Sequence, residues 1–155
     1  MPSTATTPRQ HDRHTELWDK WMELWNGRRE RADEILAPGF VLHLPQYGMP
    51  DPATLRTSEQ FVAWIDAFRS SYENARIRTD LGPFADGDHV IGRWIFQGSW
   101  QHGRPAGVTA APGTPVTLRG ADILRLDDTG RIAEYWLSDD LLDVYVGLGA
   151  PLPSP

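Results

Sequence analysis

The chain contains no cysteine. That excludes a disulfide framework, a thiolate nucleophile and a cysteine-type zinc site, and it fits a reducing cytoplasm. No run approaches the ~18 consecutive apolar residues of a membrane-spanning helix, so no membrane partner is expected. Basic residues are also in deficit: 15 Lys and Arg against 21 Asp and Glu leave a formal net charge of −6. This balance favours solubility and argues against a nucleic-acid partner. HxH and HExxH spacings, GxSxG, Walker-type loops and GxGxxG are all missing, so the residues suggest neither a metal nor a cofactor. Met1–Arg13 is polar and lacks the apolar stretch of a signal peptide, and it reads as a disordered leader. Residues 150–155 read as a loose, proline-rich tail, leaving 14–149 as one domain.

Tryptophan, by contrast, is abundant, with seven in 155 residues. Such rings must line a core, a cavity or an interface. Leu17, Trp18, Trp21, Met22, Leu24 and Trp25 recur at helical spacing, and Asn26-Gly27 ends that helix. A short helix over Arg31–Leu36 is expected to stop at Pro38-Gly39, with a strand from Phe40 to Leu44. Residues 45–57, rich in proline and carrying Tyr47, form a loop suited to a pocket mouth. Thr57 and Gln60 have capping-box spacing, and Phe61, Trp64, Ile65 and Phe68 mark the inner face of the helix that follows.

Strand signals take over downstream. Ala75–Phe84, His89–Gln101, Val116–Leu126 and Arg131–Leu137 are the expected strands, with a turn at Asp86-Gly87 and bulges or bends at Gly92 and Gly98. Ser138 and Asp139 can cap a last helix over Asp140–Leu148. The pattern predicts an α+β fold: a cone-shaped, curved antiparallel sheet with three N-terminal helices packed on its concave face. A bent sheet covered this way leaves an apolar cavity at its open end.

Alternation places Leu118, Gly120, Asp122, Leu124 and Leu126 on one face of their strand, so Asp122 is a carboxylate among core residues. Burial raises a carboxyl pKa, which suits Asp122 to acid–base work or to neutral hydrogen-bond donation. Pairing with Arg93 or Arg119 is the alternative. Tyr135 shares a face with Ala133 and Leu137 and is expected beside Asp122, while Ile132, Glu134 and Trp136 share the other face. His43, ahead of Pro45, is a third acid–base candidate. Trp18, Trp21, Trp25, Leu44, Tyr47, Trp64, Phe68, Trp94 and Leu137 are the expected substrate-binding residues.

The helix ending Trp25-Asn26-Gly27, the stretch LAPGFVLHLP, the hairpin GADILRLDDTGRIAEYW and the closing LLDVYVGLG resemble the SnoaL-like polyketide cyclases. These belong to the nuclear transport factor 2-like (cystatin-like) group, with ketosteroid isomerase and limonene epoxide hydrolase. The resemblance covers about residues 15–149 and implies the same fold. It sets Asp122 at the oxyanion-hole aspartic acid of ketosteroid isomerases, which is also where SnoaL-like cyclases place a pocket histidine. Trp21 falls at the isomerases' oxyanion-hole tyrosine and Leu44 at their base aspartate. Leu137 falls at the acid/base aspartate of the SnoaL cyclase and Tyr135 at a histidine of that enzyme. The usual bases of both relatives are therefore replaced.

The function expected is that of a cofactor-free cyclase or isomerase acting on a hydrophobic, polyketide-like or terpenoid-like molecule. The chain would be cytoplasmic and homodimeric. A non-catalytic binding or accessory module, or a purely structural dimer with Ile132 and Trp136 at its contact, is the alternative.

Overall fold

The tryptophan-bearing stretch is helical, as its spacing requires. In the computed structural model, which describes residues 8–152, α1 spans Pro8–Trp25. Residues 8–13, expected in a leader, are therefore helix, and residues 1–7 lie outside those described. Trp18 and Trp21 are fully buried on the apolar stripe. The Asn26 side chain donates to the Met22 carbonyl at 2.9 Å and pins Ile77 through its backbone.

The short helix α2 (Arg31–Ile35) runs directly into strand β1 (Leu36–His43). Pro38-Gly39 thus lies within a strand rather than ending a helix. β1 is an edge strand, and its register slips between Leu36 and Val41, so a residue without an N–H is tolerated there. The following loop carries a 3-10 turn at Pro52–Thr54. Helix α3 (Ser58–Arg69) begins on a complete capping box: Gln60 N–H donates to Thr57 Oγ1 at 3.2 Å, and Thr57 N–H donates to Gln60 Oε1 at 3.2 Å.

Strands β2 (Tyr72–Asp86), β3 (His89–Trp100), β4 (Thr114–Leu126) and β5 (Ile132–Asp139) follow, then helix α4 (Leu141–Gly147). The sheet order is β1-β5-β4-β3-β2. The pairs within β2–β5 are antiparallel, but β1 pairs with β5 in parallel, which corrects the expectation of an all-antiparallel sheet. No hairpin constrains the direction of β1, because the whole of α3 and β2–β4 separates it from β5. The tail also begins inside the fold. Ala150 is buried and donates to the Tyr145 carbonyl at 2.9 Å, and the Pro151 carbonyl accepts from Tyr47 Oη at 3.1 Å. No described helix is long and apolar enough to cross a membrane.

The expected irregularities at Gly92 and Gly98 exist, but the extra residues belong to β2. The β3–β4 ladder is continuous from His89↔Arg125 to Trp100↔Thr114, whereas β2 slips three times against β3, opposite Gly98 and around Gly92. Asn74, within one slip, takes a left-handed φ of 53°. Gly92 and Gly120 serve a different purpose. A Cβ on Gly92 would overlap the Trp18 indole, and one on Gly120 would overlap that of Trp94. Two tryptophan rings thus pack against the sheet where side chains are absent.

Ile132 is fully buried, not on the outer face expected for it. A register shift between Arg125 and Leu126 leaves Ala133 unmatched and reverses the alternation at the start of β5. Gly92→Ala and Gly120→Ala are expected to lower stability by about 1–3 kcal/mol in urea titration, through overpacking against a buried ring. Gly147→Ala, with open space around it in α4, should be neutral or slightly stabilising.

Candidate functional site

Between α3, α4 and the concave face lies a cavity of about 310 Å³. Its walls are mainly aromatic. Trp25, Trp64 and Phe68 come from the helices, Tyr72, Trp94 and Phe96 from β2 and β3, and Tyr135 from β5, with Tyr145 from α4. The rings meet edge to face. Trp25 and Trp64 have centroids 5.4 Å apart at 82°, and Phe68 and Phe96 lie 5.0 Å apart. Gly48, Met49 and Pro50 of the loop after β1 reach the cavity, as does the His102–Arg104 segment after β3.

Asp122 lies behind this wall, not on it. It is 1% exposed and is absent from the lining. Trp21 Nε1 donates to its Oδ2 at 2.8 Å, and Tyr135 Oη donates to its Oδ1 at 3.0 Å. Neither arginine considered for it pairs with it: Arg93 lies 3.7 Å from Asp80, and the Arg119 backbone is held by Asp140. Burial pushes the Asp122 carboxyl up to about 6, against the opposing pull of its Trp21 and Tyr135 donors. The Trp94 indole N–H also favours the ionised form, although it stands outside hydrogen-bond geometry and has no partner among the described residues. Tyr135 borders the cavity, so it links the buried carboxyl to the space a ligand would occupy. Burial first, and then the charge of Asp122, holds its hydroxyl pKa well above the ordinary value, so it stays neutral.

Trp25, Trp64, Phe68, Trp94 and Leu137 line the cavity as expected. Trp18 and Trp21 do not. Trp18 lies on Gly92 and donates to Thr79 Oγ1 at 2.8 Å, and Trp21 is consumed by Asp122 and by stacking on Phe61 at 5.7 Å. Leu44 packs against the core without reaching the cavity. Tyr47 turns to Tyr145 and Pro151 instead, leaving Gly48 at the mouth.

His43 is on the wrong face for the role expected of it. Leu42 takes the buried side of β1, so His43 points outward, stacks on Trp136 at 4.8 Å and bonds Glu134 at 2.7 Å. Strand parity from a neighbour of known side would have shown this.

Several lining residues escaped the sequence reading. Asp139 shares the parity of Tyr135 and Leu137 and was legible on that basis. Phe96 and Leu118 share the faces of Trp94 and Asp122. Leu141 and Tyr145 stand four apart on α4, a signal hidden until that helix is known to cover the cavity. His102 and Arg104 carry no local signal. Among the described residues no cluster of three or more His, Cys, Asp or Glu is placed to hold a metal ion.

Comparison with known proteins bears on this arrangement. The SnoaL-like domain family matches residues 18–135. TsrD from Streptomyces laurentii is similar in structure, with 25% identity and a TM-score of 0.73, over 90% of this chain and 97% of that one. A candidate SnoaL-like polyketide cyclase from Jannaschia sp. CCS1 has 21% identity and a TM-score of 0.71, over 98% and 99%. IdmH from Streptomyces antibioticus, a candidate polyketide cyclase, has 23% identity and a TM-score of 0.70, over 88% and 99%. The last two likenesses show the fold alone. No match was found among curated proteins.

The raised carboxyl makes a stability prediction. Its folded pKa of about 6 exceeds the ordinary value of 3.8. The folded state therefore holds the proton more tightly, and that contribution is complete below about pH 4. It is lost as pH rises through about 6, by ~3 kcal/mol in all. Asp122→Asn, which cannot titrate, should show a flatter dependence over this window in denaturant titrations. An unchanged pH dependence would contradict the assignment.

Proposed function

The chain belongs to the SnoaL-like domain family, and from that premise we propose that it is a cofactor-free enzyme, a cyclase or isomerase of a hydrophobic polyketide-like or terpenoid-like molecule. The observation that carries this reading is the Asp122–Tyr135 pair, which runs from the buried core to the wall of an aromatic cavity. Flat rings on several sides favour an apolar skeleton and hold it folded, which brings its reacting atoms together. Polar groups at the wall then act in a nearly dry space, where each hydrogen bond counts for more.

The pair offers two hydrogen-bond arrangements. With Asp122 ionised, Tyr135 gives its proton inward to the carboxylate. With Asp122 protonated, the carboxyl can donate to the Tyr135 oxygen, and the hydroxyl is released to donate into the cavity. A carbonyl oxygen of the ligand would receive it as negative charge develops there. This donation weakens as pH rises through about 6, the pKa of Asp122.

Candidate ketones of polyketide and terpenoid type provide the test. Turnover is expected with the unaltered protein. Tyr135→Phe should lower kcat by roughly 10²-fold or more while changing KM less. Recovery of every bound ketone unchanged after long incubation would leave only a binding module.

A homodimer in a cytoplasmic setting belongs to the same reading. Phe84, Ile91, Ile123, Trp136 and His43 are register partners, one from each strand, in a row across the outer face. Phe84 is 57% exposed and Ile91 40%. A second copy meeting this face would cover the row. Sedimentation at micromolar concentration should give a dimer, and Trp136→Glu should shift it toward monomer. A monomeric unaltered protein rules the contact out.

A further inference from the structure

Asp139 is the only carboxylate on the cavity wall among the described residues. It ends β5, two positions beyond Leu137 and four beyond Tyr135, and shares their face. Gly120 is its register partner on β4, and Trp94 is Gly120's partner on β3. Asp139 and Trp94 thus flank the one position in that row without a side chain.

The carboxyl is half-committed. Oδ1 accepts the Leu141 N–H at 3.2 Å, and Oδ2 accepts no hydrogen bond among the described residues. No described cation pairs with it. Burial raises its pKa, the Leu141 N–H opposes that, and the charge of Asp140 adds to it. The other groups that bear on the site are Asp122 from β4, Tyr135 from β5, Tyr145 from α4 and Arg104 from the loop after β3. Asp122 is likewise buried and without a cation among the described residues, but it differs in that both its oxygens are occupied, by Trp21 and Tyr135, and it is not on the cavity wall.

We propose that Asp139 is the catalytic residue that exchanges a proton with the bound molecule, and that Asp122 is a positioning residue acting through Tyr135. The inference rests on the enzyme reading above. A carbon beside a ketone loses its proton to Asp139 Oδ2. The C–H electron pair forms a carbon–carbon double bond, and the carbonyl pair moves to oxygen beside Tyr135. Return of the proton to a different carbon completes an isomerisation. Attack of the enolate carbon on a second carbonyl closes a ring, and the proton then passes to the new alkoxide.

5-Nitrobenzisoxazole tests proton abstraction without knowledge of the natural substrate. A carboxylate takes its ring C–H proton, the N–O bond breaks, and a nitrile and a coloured phenolate form. Rates would be measured between about pH 5 and 9 for the unaltered protein, Asp139→Asn, Asp139→Glu and Asp122→Asn, with cavity occupancy followed by tryptophan fluorescence. Asparagine still accepts the Leu141 N–H, so the helix start is kept. Asp139→Ser serves the same purpose if the Asn variant is unstable.

Asp139→Asn is expected to lower kcat about 10²-fold or more, with KM within about threefold. Asp139→Glu should recover part of the loss. Asp122→Asn should lower kcat less and move the midpoint of the pH profile. An Asp139→Asn variant as active as the unaltered protein overturns the assignment of Asp139 alone. An unaltered protein that fills its cavity with the probe yet gives no acceleration overturns the enzyme reading and the proposal with it.

Discussion

A single buried carboxyl organises this molecule. Asp122 sits on the central strand β4, and a carboxyl placed there is tolerated only with partners. Trp21 supplies one from α1 and Tyr135 supplies another from β5. The first helix, the central strand and the last strand are thereby tied at one point. Even with these donors the carboxyl is easier to protonate than a free one. Fully apolar packing at that position would cost less. The burial of Asp122 carries a cost that the two donors offset only in part.

The same point divides the aromatic residues into two groups. Trp18 and Trp21 face the sheet where Gly92 and Asp122 receive them, and they build the core. Trp25, the last residue of α1, and Trp64 of α3 line the cavity. Trp94 belongs to both. It rests on Gly120, lies near Asp122 and lines the hollow. Core and cavity are thus one aromatic assembly, to whose wall the bulged β2 adds Tyr72 and Ile77. The cavity rings are held in place by the core, which lowers the cost of ordering them against any molecule that enters.

Much was legible without coordinates, because it depends on period. The helical spacing of Leu17–Trp25, the capping box at Thr57 and the strict alternation through β4 follow from local geometry, and each holds. Departures arise where extra residues, one in β5 and three in β1, shift the pairing. The slip beside Ala133 carries Ile132 into the core, and the slip around Pro38-Gly39 puts a proline in an edge strand. His43 was misread for a related reason, since a strand's two faces look alike until one is known to be covered.

The sequence by itself determined the α+β class, the inward turn of Asp122 and Tyr135, and the aromatic character of whatever they adjoin. Side-chain period and composition suffice for these, since both are properties of neighbours along the chain. Tertiary structure alone decided which oxygens of Asp122 are occupied, which tryptophans reach the hollow, and that Asp139 rather than Asp122 stands at its wall. These outcomes depend on where α1 and α4 settle against the sheet. That docking is set by contacts between residues up to about a hundred positions apart, such as Trp21 and Asp122, and no local pattern encodes it.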